Sequence, residues 1–480
     1  MSQKLEPVVV RGLDRGMIDS SVLADPMMNP RQMRLIKNMD TDSMGFLTGR
    51  KGYTQLGDVV VSGKTGLGLH HHIGTNSQIV AFSNDAGDTA AESYYLSGGT
   101  WTNKALGFTA GKKIRTVTFL DLLMAVNDTD SPKSWTGAAG DAWGTTSLVS
   151  APTGSLIETY KQQVYIGNTT TDQVNFSSVP SAGAVTWAAA DNFIANPNDG
   201  SNLTGLKRYA QQLLVFKEDY VYRFNGRSLD PDPVIFYGAS SQEAILVAGS
   251  VCWFYDGKRN ALLAYVGGYP NTVSKPIRPF LEAVPTSSHG DVKLRGDNDH
   301  VEAFIGDVTV GSLPFVNVSC RYVISTQTWV VRSYADSFSI FTDYDDGSTV
   351  FNLGFDNTGE VQKMDTGNTD DGAAIEYDVE TAWLVLGGNP TNEFTLAAFS
   401  AFADFPQGLN VFFKTERDST WRTIGAMRQY MTSWSGINES FHKIKFRFTG
   451  ITSASQTIFE GYCLTVPLLE GMEIDTLRVQ

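Results

Sequence analysis

Three consecutive histidines, His70, His71 and His72, are the first residues whose chemistry stands out. Because side chains alternate across a strand, His70 and His72 share a face and could supply two ligands to a zinc ion. A catalytic zinc site needs a third protein ligand and partners that orient the ligands. The sequence indicates neither, so we expect histidines at the surface or at an interface, and no metal site.

Two acidic stretches, TDYDDGS over 342–348 and RGDNDH over 295–300, carry enough carboxylates to suggest a calcium site. Neither stretch follows the ligand spacing of an EF-hand loop. Aspartate next to glycine is common in the turns of β-hairpins. We therefore interpret both stretches as turns.

Motifs for nucleophilic or phosphate chemistry are not found in this sequence. It contains no G-x-S-x-G, no P-loop, and no G-x-G-x-x-G that opens a helix. Glycosidases need two carboxylates at a set separation, and no such pair stands out. Cys252, Cys320 and Cys463 are far apart and lack C-x-x-C spacing, which predicts buried thiols. We expect a protein that is not an enzyme and has no cofactor.

The composition favours short strands over long helices. The 480 residues include 46 Gly, 27 Phe, 18 Tyr and 9 Trp, and only 18% of the residues are charged. Aromatic residues favour strands, and Gly, Asn and Asp favour the turns between them. The chain is long for a single core, so we expect either several domains or a repeat architecture. The sequence predicts an all-β protein.

A strand-turn-strand unit recurs from about residue 65, as in QIVAFSND (78–85), LLVFKEDYVYRFNG (213–226) and TVFNLGFDNTGEV (349–361). The turns lie roughly 40 to 50 residues apart, which is the spacing of a four-stranded propeller blade. We therefore predict a β-propeller of six or seven blades over residues 64–379. The alternative is a large two-sheet sandwich with evenly spaced hairpins.

The two ends of the chain have a different texture. After residue 379 the strands are longer, and HKIKFRFTG (442–450) alternates basic and apolar residues, which predicts a β-sandwich-like domain over 380–480. Residues 1–63 form an N-terminal segment for docking or as a platform. There, Asn29 as N-cap, Pro30 at the first helical position and Gln32 in a capping box predict one short helix.

Charge and hydropathy restrict the partners. The formal net charge is −14, from 51 Asp and Glu against 37 Lys and Arg, which argues against a protein that grips nucleic acid through its phosphates. The longest apolar run, AILVAGSVCWF (244–254), is too short to span a bilayer, and the start MSQKLEPVVV lacks a signal-peptide core. We expect synthesis in a cytosol and no membrane insertion.

The stretch from Arg11 to Tyr53 resembles the start of tailed-bacteriophage tail proteins of the nozzle, tail tubular protein B and packaged-DNA stabilisation group. The matching residues are Gly12, Leu13, Gly16, Asn38, Met39, Asp40, Gly45, Leu47, Arg50, Gly52 and Tyr53. The middle of the chain is similar to the same group in YKQQVYIGN, DQVNFSS and NFIANPNDGSNLTGLKRYAQQLLVFKEDYVYRFNG, and later in GGYPNTVSKPIRPFL. It departs from the group's pattern where DGS replaces DGD.

This resemblance implies a structural protein of the virion tail, made in the host cytoplasm. It implies a homo-oligomeric ring, expected to be a hexamer, that extends and gates the DNA conduit and retains the packaged genome. The implied partners are tail adaptor or portal-proximal proteins, tail fibre or tail-tip proteins, and double-stranded DNA that passes without specific binding. The alternative is a glycan-processing or receptor-binding propeller of a tail tip.

Two sets of residues follow from this hypothesis. The first set is a candidate assembly interface, which docks on a neighbouring subunit, packs under the C-terminal domain, or packs on the chain's own propeller: Arg11, Arg15, Met33, Arg34, Ile36, Arg50, Lys51 and Tyr53. The second set comprises acidic turns expected to face the DNA channel, where they would repel phosphates: Asp297, Asp299, Asp343, Asp345, Asp346, Asp370 and Asp371.

Overall fold

Strands and turns make up nearly all of the computed structural model. It describes residues 5–13, 15–18, 31–42, 44–180, 184–196, 199–230, 232–386, 391–404, 408–452 and 456–467. The helices that lie wholly within these ranges are one α-helix, Arg278–Glu282, and the 3-10 turns Gln242–Ala244, Lys275–Ile277 and Thr286–Asp291. In these ranges no helix is long and apolar enough to cross a lipid bilayer. The prediction of an all-β protein is confirmed.

Small antiparallel sheets surround a central channel. Within the described residues, seven innermost strands each pack against the next, and the last packs against the first, so the ring is closed. They are Gly66–His72, Arg115–Phe119, Leu156–Tyr160, Leu203–Tyr209, Ile245–Ala248, Lys293–Gly296 and Phe338–Asp345. The predicted β-propeller is therefore confirmed, with seven blades.

Each blade runs outward from its innermost strand. Blade 1 continues with Gln78–Asn84, Ala91–Ser97 and Thr100–Phe108. Blade 2 continues with Leu122–Val126 and Lys133–Trp135. Blade 3 continues with Gln163–Asn168, Gln173–Phe176 and Asn192–Ile194. Blades 4 and 5 continue with Gln212–Lys217 and Val221–Phe224, and with Val251–Asp256, Ala261–Tyr265 and Asn271–Thr272. Blade 6 continues with His300–Val310, Leu313–Val323 and Thr328–Ser333. Blade 7 continues with Val350–Asp356 and Val361–Met364. The short strands Leu148–Val149 and Val185–Thr186 pair in parallel between blades 2 and 3.

The first hairpin of a blade repeats a backbone conformation rather than a sequence. Blades 2, 3 and 4 turn on the residue pairs 120–121, 161–162 and 210–211, and both residues of every pair have positive φ, from 43° to 60°. This is the conformation of a two-residue type I′ turn, whose twist matches that of the flanking strands. The pairs are Leu-Asp, Lys-Gln and Ala-Gln rather than the preferred Asn-Gly, so the repeat is hard to recognise in the sequence.

The second domain is the predicted C-terminal sandwich. One sheet contains Met33–Lys37, Ala373–Thr381, Ile444–Thr452, Asn410–Thr415 and Arg422–Ala426; the other contains Met39–Thr41, Leu47–Gly49, Leu5–Arg11, Ile458–Pro467, Phe394–Asp404 and Met431–Phe441. Phe399 stacks on Phe446 of the facing sheet at 4.4 Å between ring centroids, and Tyr462 lies 5.5 Å from Phe446. These buried rings form the core between the two sheets.

The N-terminal segment forms strands where one short helix was predicted. Asn29 and Pro30, the expected helix start, lie outside the described residues, but Met33–Lys37 is a strand. It pairs antiparallel with Ala373–Thr381, and its last residue pairs in parallel with blade 6. A register shift between Met33 and Leu35 turns both Leu35 and Ile36 inward. As a result, Met33, Leu35 and Ile36 are all buried, and in the sequence this spacing resembles the apolar face of an amphipathic helix.

Strands from this segment complete both domains. Leu5–Arg11 and Leu47–Gly49 pair with Ile458–Pro467 of the sandwich. Tyr53–Gln55 pairs antiparallel with Val361–Met364 and forms the outermost strand of blade 7. The predicted boundary between residues 379 and 380 falls inside the strand Ala373–Thr381. The first 55 residues therefore bind the propeller and the sandwich to each other.

Candidate functional site

The N-terminal segment, which precedes blade 1 and completes blade 7, is held by a buried arginine. All five N–H donors of Arg50 are used: Nη1 and Nη2 bond the two carboxylate oxygens of Asp370 at 2.8 and 2.6 Å, and Nε bonds Asn38 Oδ1 at 2.9 Å. The remaining donors reach the carbonyls of Ser333 and Lys51. The Arg50 side chain is fully buried and Asp370 is 5% exposed. We call this arrangement, with the strand Tyr53–Gln55, the clasp.

Asn38 joins three parts of the chain at the clasp. Its Oδ1 also accepts a bond from the Ser333 amide of blade 6 at 2.8 Å, and its Nδ2 donates to the Glu376 carbonyl of the sandwich at 2.6 Å. Its φ of 58° lies in the left-handed region, which asparagine tolerates better than most residues. One side chain therefore binds the propeller, the sandwich and Arg50.

Tyr53 and Gly52 fix the strand that completes blade 7. The Tyr53 hydroxyl donates to Asp336 at 2.5 Å, and its ring packs edge-on against Phe338 at 5.3 Å. Burial, followed by the bond to Asp336, raises the pKa of Tyr53 far above its usual value. A Cβ at position 52 would lie 1.8 Å from the Thr369 carbonyl oxygen, so only glycine fits there.

An ionic cluster lies beside the clasp, between blades 6 and 7. Arg332 bonds Asp40 at 2.5 Å and Asp365 at 2.7 Å, while Arg295 bonds Glu302 at 2.5 Å and Asp365 at 2.8 Å. A third arginine, Arg321, reaches Asp365 at 2.9 Å. The cluster connects blade 6 to blade 7 and, through Asp40, to the N-terminal segment.

The charges of the ionic cluster argue against a metal ion at this place. His300, Glu302 and Asp365 are close enough together to suggest one. However, the three arginines of the cluster face three carboxylates, so the negative charge is already compensated. Burial by itself would raise the pKa of Glu302, but the arginines outweigh it and lower that pKa to about 2. A cation would have to displace guanidinium groups.

The structure corrects half of the candidate assembly interface. Met33, Ile36, Arg50 and Tyr53 are fully buried within the chain, so they pack on the chain's own propeller and sandwich. They cannot present a surface to another subunit. The physical reason is that the segment is inserted between two sheets rather than lying on top of them.

The other four interface candidates remain accessible. Arg11, Arg15 and Lys51 are exposed, and Arg34 is half exposed and lies 3.4 Å from Glu380. Arg11 covers the Phe402 ring at 5.1 Å. These cations lie at the surface of the sandwich and beside the clasp, where another molecule can reach them.

The central channel contains a cavity of about 440 Å³ lined by the innermost strands of all seven blades. A second cavity of about 270 Å³ lies where these strands begin, and the two share Glu243, Lys293 and Ile340. Glu243 is held by Arg115 at 2.8 and 3.0 Å. Burial opposes its charge, but Arg115 and Lys113 lower the pKa of Glu243 to about 2.

Of the three histidines, His70 lines the channel cavity, His72 is buried beside blade 2, and His71 packs edge-on against Tyr344 at 5.0 Å. His70 and His72 share a face, as predicted. His70 Nε2 and His72 Nδ1 each lie within hydrogen-bond distance of the Thr118 hydroxyl, at 2.9 and 3.1 Å. Burial, with help from the neighbouring histidines, lowers the pKa of His70 to about 3. Both are therefore neutral side chains that hydrogen-bond between blades 1 and 2. Neither is a fully exposed surface histidine, since His72 is buried and His70 is half-buried on an innermost strand; the alternative of histidines at an interface stays a prediction.

The acidic turns separate into two groups. Asp297 accepts bonds from the amides of Asp299 and His300, and Asp346 accepts bonds from the amides of Ser348 and Thr349. These carboxylates therefore stabilise hairpin turns, as the sequence indicated. Both turns join the first two strands of a blade, in neighbouring blades 6 and 7, so they lie on the same face of the propeller.

The remaining acidic candidates have different surroundings. Asp345 belongs to the same turn as Asp346, and Asp343 precedes it, bonded to Asn352 and lining the channel. Asp371 is exposed near the clasp, whereas Asp370 is buried against Arg50. Asp370 was expected, with Asp371, in an acidic turn that faces the DNA channel. The structure corrects that assignment, since the carboxylate of Asp370 forms a buried ion pair with Arg50.

Comparisons with known proteins add little beyond the fold. No protein-family model and no curated protein matches the chain. A solved structure described as "YCF48 bound to D1 peptide" is 10% identical over 66% of this chain and 96% of its own, with a TM-score of 0.39. A "Crystal structure of RRP9 WD40 repeats" is 8% identical over 66% of this chain and 99% of its own, with a TM-score of 0.42.

Proposed function

We propose that this protein is a structural subunit of a phage tail. In this proposal, identical copies form a ring, expected to be a hexamer, that extends and gates the DNA conduit and retains the genome until ejection. One observation carries the proposal: residues that resemble the tail-protein group, among them Asn38, Asp40, Arg50 and Tyr53, build the clasp and its ionic cluster. These residues join the propeller to the sandwich, and a rigid connection between domains suits a tail protein that must keep its shape under mechanical force.

The size of the channel supports a conduit formed by several copies. A cavity of about 440 Å³ has the volume of a small-molecule site, whereas the major groove of B-DNA alone is about 12 Å wide. Duplex DNA cannot pass through the centre of this propeller. A conduit therefore has to be enclosed between subunits, which requires cyclic symmetry and head-to-tail contacts that close.

Copy number in the particle tests the assembly. We expect a reconstruction of the virion to show six copies around the tail axis, below adaptor or portal-proximal proteins and in contact with fibre or tail-tip proteins. The purified subunit alone can remain monomeric, because neighbouring proteins complete the ring. A reconstruction with one or three copies, or with no copy in the tail, would overturn the proposal.

The acidic face of blades 6 and 7 is the proposed channel wall. Asp297, Asp299, Asp345 and Asp346 are exposed there, and a wall that attracted phosphates would hold the moving DNA. Replacing Asp345 and Asp346 with lysine should leave assembly intact and slow genome release, more at low salt than at high salt. The matched control is the same exchange at Asp371, on the clasp side. Equal ejection rates in all three phages would refute this assignment of the wall.

A glycan-processing propeller is the second candidate. Glu158 and Asp343 both line the central cavity. Although Asp343 is exposed to the solvent of the channel, desolvation by the surrounding strands raises its pKa, the direction that a proton donor requires. Incubation with host polysaccharide tests this activity. New reducing ends that disappear in Asp343→Asn would favour the enzyme, and their absence in the wild type would exclude it for that substrate.

A further inference from the structure

The channel contains three lysines that, within the described residues, make no hydrogen bond to a carboxylate. Lys293 Nζ donates to the backbone carbonyl of Asp291 at 2.7 Å, and Lys113 Nζ lies 3.8 Å from Glu243, beyond hydrogen-bond distance. Lys207 lines the same cavity, where its charge acts on Asp343 without a direct bond between the two side chains. Three ammonium groups therefore face one continuous channel with their donors largely unused.

The carboxylates of the channel are already engaged elsewhere. Glu243 binds both sides of the Arg115 guanidinium, Asp343 accepts from Asn352 at 2.6 Å, and Glu158 accepts a backbone amide at 2.9 Å. Asp291 also approaches Lys293, but it is exposed at the rim. These carboxylates offset part of the lysine charge from a distance, but the ammonium groups keep donors that are free to bind an anion from the solvent in the channel.

The position of Lys293 makes it the centre of this group. It lines both connected cavities of the channel. Burial, reinforced by repulsion from Lys113, lowers the pKa of Lys293 to about 8, so the amine still carries its proton at neutral pH. An ammonium held this way gains from any anion that restores its lost hydration.

We propose that the central channel binds a small polyvalent anion, carrying phosphate or carboxylate groups, through Lys113, Lys207 and Lys293. The lysines belong to blades 2, 4 and 6 or their leading loops, so the ligand touches alternate blades around the ring. A ligand with two or more anionic groups fits this spread better than a single ion. The combined cavities admit a molecule of this size and exclude duplex DNA.

Titration calorimetry at pH 7 and low ionic strength tests the proposal, with tripolyphosphate and citrate as the phosphate and carboxylate probes. We expect saturable binding of one anion per chain by at least one probe. Lys293→Met and Lys207→Met should each weaken binding about tenfold, the value of one charge-assisted hydrogen bond of about 1.4 kcal/mol. The preferred probe identifies the chemistry of the ligand.

Lys258→Met is the matched control, because Lys258 pairs with Asp219 on the outer surface at 2.7 Å. It should bind as the wild type does. Equal weakening in Lys258→Met and Lys293→Met, or titration that does not saturate, would show only general screening and overturn the site. A second measurement needs no variant: trace acetylation of the wild type followed by mass spectrometry. The bound anion should protect the three channel lysines several-fold and leave Lys258 unchanged; uniform labelling would refute the proposal.

Discussion

The clasp makes one substitution more damaging than its small chemical change indicates. Asp370→Asn keeps the shape of the side chain but removes the charge that faces Arg50, and both groups are almost completely buried. Removing one member of a buried ion pair costs about 3–5 kcal/mol, because the remaining charge is left without compensation. Each 1.4 kcal/mol is about a tenfold change in an equilibrium constant. Opening of the clasp should therefore become a hundredfold or more frequent.

Hydrogen exchange locates this effect. The amide of Leu56 bonds the Val361 carbonyl at 2.7 Å, and the amide of Asp371 bonds the Tyr53 carbonyl at 3.0 Å. Both bonds break when the strand Tyr53–Gln55 leaves blade 7. In Asp370→Asn, we expect these amides to exchange at least a hundredfold faster, while amides of blade 3 keep their protection.

Two further variants separate the buried charge from general effects. Glu393→Gln removes an exposed pair with Arg417 and should leave exchange at the clasp unchanged. The double variant Arg50→Met with Asp370→Leu removes both charges and should recover part of the lost protection. Wild-type exchange in Asp370→Asn, or a double variant that exchanges faster than the single one, would refute the reasoning.

Three other predictions concern pH, backbone space and metal. The folded-state pKa of His70 is about 3, below its unfolded value of 6.5. Its contribution to stability is therefore present above pH 6.5 and is lost as the pH falls towards 3, by up to about 1.4 kcal/mol per pH unit. His70→Gln should make the melting temperature depend less on pH between pH 7 and 5, and an unchanged slope would contradict this. Gly52→Ala should prevent folding or lower the melting temperature sharply, because its methyl group would meet the Thr369 carbonyl, whereas Gly140→Ala, with open space at its Cβ, should behave as the wild type. EDTA should leave the melting temperature unchanged, and a large drop would revive the acidic turn of blade 7 as a calcium site.

The propeller could be predicted because its signals are local. Each strand and its turn lie within a few residues of each other, and the spacing of the turns gave the size of a blade. The alternation of the strand at 442–450 also held, since Ile444, Phe446 and Phe448 are all buried. Lys445 on the other face is buried as well, but it pairs with Glu380, and no local pattern indicates such a partner.

The clasp could not be predicted because its partners are distant in sequence. Arg50 and Asp370 are 320 residues apart, and each has a plausible surface role when considered alone. The same applies to His70, whose exposure depends on which strand becomes innermost. The sequence contains one indication of this region: residues that resemble the tail-protein group cluster before the first blade, where Gly52 and Tyr53 directly follow the basic pair Arg50-Lys51.

The strand that completes blade 7 also sets the order of events during synthesis. Tyr53–Gln55 leaves the ribosome early, but the residues that hold it, near Asp370, follow 320 residues later. At about 5–20 residues per second, this corresponds to about 15–60 s of translation. During that interval the ring is open and the edges of blade 7 and of the strand Met33–Lys37 are unpaired. The nascent chain therefore exposes these strand edges until residues 361–381 are made, and a chain that stops before them cannot complete blade 7.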